Sequence, residues 1–402
     1  MVSVRKVGRS SRIVVAALAS GSVLAGAAQG QVAVGRKVGT GVLVLYPGHE
    51  ATLPAFELSE VERRVAMGDV NGDGVPDVIV GTGPGTGARI GVFDGATLEG
   101  LAIPDLEPVL GGFTGGVFVA AGDLDGDGRA EIVVGTDAGM PGRVVVFDGM
   151  TGTPRRSFQP YDRGFTGGVR VAVGDVNGDG ISDIVTGAGV GGGPHVKVFN
   201  GQTDGPALQE FFAFSATFQG GVHVAAGDLD GDGRAEIITG PGEGGDPVVR
   251  VFDTRNPANP RLLRVGPPER TEGVRVGTVF EPGGPDGPGT RLLAAAPMVH
   301  LGLLLPAVQK IPLEGPAQTL WLGDSSAPDD VVFVAGRPAP ARPRCAVDVN
   351  GDGLIDPDDL SDYIGCYFSQ PPCEKADFTG DGATNPDDLS DFIAAYFAGD
   401  CG

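Results

Sequence analysis

Gly174-Asp175-Val176-Asn177-Gly178-Asp179-Gly180-Ile181-Ser182-Asp183, running on into Ile184-Val185-Thr186-Gly187, is the stretch on which the reading of this chain turns. Short oxygen-bearing side chains stand at alternate positions, glycines between them let the backbone curl, and an apolar strand follows. That is how a chain wraps oxygen around a hard cation: Asp175, Asn177, Asp179 and Asp183 offer side-chain oxygens and Ile181 its carbonyl. Three more copies keep the register. They are Asp69, Asn71, Asp73, Val75 and Asp77; Asp123, Asp125, Asp127, Arg129 and Glu131; and Asp228, Asp230, Asp232, Arg234 and Glu236, where Val75, Arg129 and Arg234 each supply a carbonyl. The first aspartates fall at 69, 123, 175 and 228, so the spacings are 54, 52 and 53 residues, which marks a repeat architecture.

Each repeat has one order of elements. An alternating segment such as Val169-Arg170-Val171-Ala172-Val173 enters the acidic loop, and Asp183-Ile184-Val185-Thr186 leaves it. A glycine-rich turn over 187–194 leads to His195-Val196-Lys197-Val198-Phe199, closed by the hairpin signal Asn200-Gly201. A more variable strand, Leu208 to Phe214, completes the unit. Four antiparallel strands in about 53 residues predict one blade of a β-propeller. The pattern continues in decayed form: Gly273-Val274-Arg275-Val276 matches Gly168-Val169-Arg170-Val171, and Phe280 and Pro282 then stand where Asp175 and Asn177 do, so this blade should hold no metal. Leu320–Asp324 and Asp330–Val334 read as the first two strands of a last blade, and Gly41–Gly48, which matches Ala88–Gly95, as an outer strand that closes it. The expectation is mainly β, six blades over residues 31–336, with seven or five as alternatives.

The bulk numbers agree. The 402 residues allow two or three domains; 70 glycines and 6% aromatics suit short strands and tight turns. A formal charge of −22, much of it in the loops, fits cation loading and argues against nucleic acid or an anionic membrane as a partner. Residues 1–30 read as a secretory signal: Arg5, Lys6, Arg9 and Arg12 precede an apolar run from Ile13 to Ala28, and Ala28-Gln29-Gly30 is a cleavage site before Gln31. The apolar run Leu292 to Val308 contains Pro297, His300 and Pro306 and reads as a strand pair rather than a span. Residues 337–344 are a Pro-rich linker. Cys345, Cys366, Cys373 and Cys401 all lie in the small exported region 345–402, which predicts two disulfides, Cys345–Cys401 and Cys366–Cys373 being one of three connectivities.

The acidic loops, the preceding Gly112-Phe113-Thr114-Gly115-Gly116 and Gly164-Phe165-Thr166-Gly167-Gly168, and the glycine-rich turns resemble the FG-GAP/VCBS repeats of the integrin α-subunit propeller. The resemblance covers about residues 32–336 and implies a structural calcium ion in each intact loop. The tail carries two loops of another kind. Asp348, Asn350, Asp352, Leu354, Asp356 and Asp359 take positions 1, 3, 5, 7, 9 and 12; Asp377, Thr379, Asp381, Ala383, Asn385 and Asp388 repeat them 29 residues on. Each loop precedes an amphipathic segment, Leu360–Phe368 and Leu389–Phe397, in the manner of an EF-hand. Two loop–helix units with Asp at position 12 resemble a dockerin, and the resemblance implies up to two further calcium ions and a cohesin-like or other scaffold or surface partner. Thr379 and Asn385 depart from the usual acids, and Pro357-Asp358 and Pro386-Asp387 stand where dockerins contact their partner.

No nucleophile–base constellation is visible. Gly187-Ala188-Gly189-Val190-Gly191-Gly192 has the spacing of a dinucleotide fingerprint but leads into a strand, so it reads as a turn. Five residues before each first ligand stand Arg64, Phe118, Arg170 and His223, with Arg275 at the matching place in the next repeat and small residues (Ala172, Gly174; Ala120, Gly122) following on the same strand face. These side chains should point into the channel mouth, where they either fill and solvate it or receive an anionic or sugar ligand. The sequence therefore predicts a secreted, calcium-binding propeller that binds a glycan or an extracellular protein, tethered by its tail. A carbohydrate-active enzyme on the same scaffold and a purely structural surface protein are the alternatives.

Overall fold

The computed structural model describes Val42 and residues 62–101, 110–266, 268–269 and 271–278 with their side chains, further strands on either side by their backbone, and a few helical residues of the tail. Residues 1–31, the linker 337–344, the four cysteines and all twelve expected ligands of the tail loops lie outside the described residues.

The described strands form antiparallel sheets. β4 (Arg63–Gly68), β5 (Asp77–Thr82) and β6 (Ile90–Phe93) make a three-stranded sheet. β7 (Val117–Gly122), β8 (Glu131–Thr136), β9 (Val144–Phe147) and β10 (Pro154–Phe158) make the next. β11 (Val169–Gly174), β12 (Asp183–Ala188), β13 (His195–Phe199) and β14 (Gln209–Phe212) follow, then β15 (Val222–Gly227), β16 (Glu236–Pro241), β17 (Val248–Phe252) and β18 (Arg261–Arg264). These are four propeller blades, the first with three described strands, where six blades were expected. Two flanking sheets are described by strand pairing alone. One is β19 (Arg275–Gly284), β20 (Gly287–His300), β21 (Leu303–Ile311) and β22 (Gln318–Trp321). The other runs β23 (Val331–Gly336), β1 (Val32–Arg36), β2 (Val42–Tyr46), β3 (His49–Leu53).

Those flanking sheets correct the expected division of the termini. β2 takes the third place, as its match to 88–95 requires, but the second place belongs to β1 and not to residues 330–334. The segment 331–336 moves in to the first place, and Gln318–Trp321 becomes the last strand of the preceding sheet. The cause is length: β19 and β20 run 10 and 14 residues as one ladder, with Phe280 paired to Thr290 where the other repeats place a loop, so 318–321 finishes that sheet. The apolar run 292–308 lies in the β20–β21 ladder, as expected.

Each sheet alone exposes two apolar faces, and the neighbours cover them. Ala66, Ile79 and Val92 pack with Val117, Val119 and Val134; Ala120, Val133 and Val146 of the other face pack with Val169, Val171 and Ile184. Ala172, Val185 and Val198 meet Val222, Val224 and Ile237 in the same way. The second strand of each blade, β5, β8, β12 and β16, is accordingly buried at every residue. Each such Val or Ile contributes about 1.5–3 kcal/mol relative to exposure.

Close approach of neighbouring inner strands requires glycine opposite them. A methyl group at Gly187 would stand 2.7 Å from the Val222 carbonyl oxygen and 2.9 Å from Val224 Cγ1. One at Gly174 would stand 2.9 Å from Ala226 Cβ. Gly187→Ala is therefore expected to destabilise by about 1–3 kcal/mol, lowering Tm by several degrees. Gly205→Ala, at a site with nothing within 4 Å, should leave the thermal melt unmoved; equal effects would contradict this packing.

Candidate metal centres

Every intact loop is built alike. The inner strand ends on a glycine, the acidic residues follow, and the last acid opens the second strand: Asp77, Glu131, Asp183 and Glu236 begin β5, β8, β12 and β16. Two glycines per loop adopt positive φ, such as Gly178 at 78° and Gly180 at 81°, a region open to them at no steric cost. The first aspartate organises the turn: Asp175 Oδ1 accepts the Gly178 N–H (2.7 Å) and Oδ2 the Gly180 N–H (2.8 Å), and Asp69, Asp123 and Asp228 repeat both bonds.

The last acids are buried. Each spends one carboxylate oxygen on a main-chain N–H at the start of its own loop: Val70 to Asp77 (2.9 Å), Leu124 to Glu131 (2.8 Å), Val176 to Asp183 (3.2 Å) and Leu229 to Glu236 (2.7 Å). The longer Glu arm fits the same place. Burial raises the Asp77 carboxyl to about 6, Glu131 to about 7, Asp183 to about 7 and Glu236 to about 8, and neighbouring loop carboxylates push the same way against the main-chain donors. Asp175 and Asp230 are also raised, by burial first.

The loops differ in how their carboxylates meet. Those of Asp123, Asp125 and Asp127, and of Asp228, Asp230 and Glu236, bring oxygen atoms within 4.8 Å of one another. In the two loops with Asn at position 3, the amide turns its nitrogen to the acids: Asn177 Nδ2 lies 2.8 Å from Asp179 Oδ2, and Asn71 Nδ2 3.1 Å from Asp94 Oδ2. The amide oxygens instead accept the Asp179 and Asp73 N–H groups at 2.8 Å. A ligating role for Asn71 and Asn177 requires these amides to turn over.

Several neighbours escaped the sequence reading. Arg155, on β10, is paired with Asp125 and with Asp148 (2.5 Å), and lies 3.3 Å from Glu131 Oε1. Arg255 pairs with Asp232. Nothing in the repeat pattern marks either residue. The Asp-Gly and Asn-Gly turns did carry a signal beyond the hairpin: Gly95 N–H bonds Asp77 Oδ1 (2.9 Å) and Gly201 N–H bonds Asp183 Oδ1 (3.3 Å), so the turn of the third strand closes on the last acid.

At the opposite end of the inner strands, Arg64, Arg170, His223 and Arg275 line one cavity together with Phe118, as their register predicts. In the tail, the described residues Leu360, Tyr363, Ile364 and Tyr367, and Leu389, Phe392 and Ile393, are helical. The buried rings of Tyr363 and Phe392 stack 3.7 Å apart.

Residues 69–134, 123–186 and 175–239 match the FG-GAP-like repeat. The stretch 69–239 of this propeller therefore carries FG-GAP-like repeats. Integrin alpha-5 of Xenopus laevis is 30% identical over 215 residues, 46% of this chain and 20% of that protein, so the chain spans a fifth of that relative's length. Two solved structures align at low identity. The nidogen/laminin complex aligns with a TM-score of 0.44 and 11% identity over 76% of this chain and 97% of that one. An Agrocybe aegerita lectin that recognises non-reducing terminal N-acetylglucosamine aligns with a TM-score of 0.42 and 16% identity over 76% and 96%. Likeness of this degree says nothing of what the present propeller binds.

The raised carboxyls set the pH response of metal-stripped protein. With folded pKa values above the unfolded ones, the native FG-GAP loops bind more protons than the unfolded chain, so stability falls as pH rises from about 4 to 8. In chelator, Tm should be higher at pH 5 than at pH 8. A Tm that rises over that interval would contradict the burial of these acids.

Proposed function

We propose that the protein is an exported calcium-binding propeller that acts as a binding or adhesion module, anchored by its tail to a surface or scaffold protein. The observation that carries the calcium reading is the burial of one carboxylate per loop beside others of like charge, in four loops whose donors are all oxygen. A hard divalent cation, when bound, supplies the positive charge that such a set lacks. The main-chain donors hold each first and last acid in place for it, and Arg155 and Arg255 partly compensate the second and fourth loops. Asp69, Asp73, Asp77 and their counterparts would hold the ion, with the carbonyls of Val75, Arg129, Ile181 and Arg234.

On this proposal β19–β22 and the sheet β23-β1-β2-β3 are the fifth and sixth blades. Support comes from the inner strands: β4 lies beside β7, β7 beside β11, β11 beside β15, β15 beside β19, and β23 beside both β19 and β4. Joining both termini in one sheet removes the open edges of the ring. Export is supported by the basic, apolar start of the chain and by the integrin relative. Among the described residues no helix is long and apolar enough to cross a membrane. For the tail, the Tyr363–Phe392 stack supports two packed helices, and two calcium loops, two disulfides and a docking face complete the reading.

Metal analysis of the mature protein should find about four calcium ions in the propeller and up to two in the tail, given one ion per complete loop. Asp228→Asn, which keeps the shape of the side chain, should remove one equivalent. Incubation with a glycan and protein array should give retention that chelator abolishes. Absence of stoichiometric divalent ion would overturn the calcium reading, and cleavage of a polysaccharide would replace binding by catalysis.

A further inference from the structure

The five side chains at the far end of the inner strands make a second site. Arg64, Phe118, Arg170 and His223 are each the second residue of an inner strand, and Arg275 opens β19, so all five stand at the end away from the acidic loops. With their flanking valines they line a cavity of about 60 Å³, and no carboxylate lines it. That space accommodates a few water molecules or one small oxyanion.

Arg64 is spoken for. Its guanidinium bonds Glu62 (2.9 Å) and Asp137 (2.5 Å) and lies 3.7 Å over the Phe118 ring. Arg170 differs. It donates Nη1 to the Ala188 carbonyl (3.1 Å), its buried Nε meets no acceptor, and it forms no ion pair among the described residues. Burial, and then the Arg275 charge, lower its pKa to about 10, with Asp137 opposing and Arg64 adding. The same burial and the three arginines hold His223 well below its ordinary value, so it stays neutral near pH 7. No carboxylate lines the cavity that Arg170 faces, and Asp137, which opposes the lowering, is already bonded to Arg64; a half-buried guanidinium so placed is costly unless a ligand supplies further negative charge. An inner strand that needed only filling would be served better by the small apolar residues found farther along it, Ala172 and Gly174.

We propose that this end of the channel is a binding site for a small oxyanion, a carboxylate, sulfate or phosphate group, received by Arg170 and Arg275 with Phe118 as an apolar wall and His223 as a neutral hydrogen-bonding partner. The planar fork of an arginine matches such groups in two parallel hydrogen bonds. This deepens the binding reading by naming a ligand chemistry, and it stands on the ring of inner strands rather than on what the acidic loops hold.

The test is calorimetric titration of the full chain, in chloride buffer with calcium, against sodium acetate, sodium sulfate and inorganic phosphate. At least one should bind saturably with a Kd in the millimolar range or tighter. Saturation by acetate identifies a carboxylate-bearing ligand, and saturation by sulfate or phosphate alone a sulfated or phosphorylated one. Arg170→Gln and Arg275→Gln should each weaken binding about tenfold or more. Arg170→Lys, which keeps the charge and loses the fork, should weaken it less than Arg170→Gln. Thermal melts check each variant for folding, and if Arg170→Gln fails to fold, Arg170→Lys and the wild-type anion series decide. No saturable heat with any anion up to about 20 mM, beyond the weakest affinity of a specific site, would overturn the proposal, as would unchanged binding by folded Arg170→Gln. Anion binding that persists in protein found to carry no calcium would sink the metal reading and leave this one intact.

Discussion

The main-chain carbonyl of the first aspartate in an acidic loop serves two blades at once. It belongs to its own loop and accepts a hydrogen bond from the loop of the next blade: Ala130 N–H to Asp69 O (2.7 Å), Ser182 N–H to Asp123 O (3.0 Å) and Ala235 N–H to Asp175 O (2.6 Å). Side chains reinforce the link, for Arg234 reaches the Asn177 carbonyl and Gln202 Nε2 the Asp125 carbonyl (3.3 Å). At the other end of the blades, the glycine-rich turns bond the Phe-Thr-Gly-Gly segments of the following repeat, as in Gly139 N–H to Thr166 O (3.0 Å). Neighbouring blades are thus joined at both ends, with apolar faces between. A blade has no second way to cover its two faces, so a disturbance in one loop reaches the next.

This joins the electrostatics of the loops to the stability of the ring. The last acid of each loop sits at the base of the second strand, buried at every residue, and bonds the N–H that follows the first aspartate. Any charge left there uncompensated acts on the residue whose carbonyl ties two blades. The second and fourth loops have Arg155 and Arg255 close by, while the first and third have Asn71 and Asn177 turned nitrogen-first toward the acids. In both cases a donor or cation of the chain stands among the carboxylates.

Much of this was legible in the residue order because the loop chemistry is local. Alternate oxygen-bearing residues, the glycines that permit positive φ and the apolar run after them all lie within 14 residues, as in 174–187, and they recur. The cavity-lining set was legible for the same reason, since each of Arg64, Arg170 and His223 stands five residues before its loop. What stayed hidden depends on contacts distant in the chain or on a small difference in length. Arg155 meets Asp125 across 30 residues, with no counterpart in sister repeats. The partition of the termini turned on how far the β19–β20 ladder extends once its loop is lost, and the short segment Val32–Arg36, close behind the apolar run 13–28, gave no reason to place it second in a sheet with β23. The orientation of the Asn71 and Asn177 amides depends on which partners surround them, which no spacing encodes.

Hydrogen exchange at the amides of Ala130, Ser182 and Ala235, followed with calcium and again with chelator, tests most directly whether cations in the loops hold the ring together. These three N–H groups are the inter-blade bonds themselves. The account predicts strong protection with calcium and a concerted loss of protection at all three on chelation. Protection that is the same in both conditions would show that the blades are joined without metal and would contradict it.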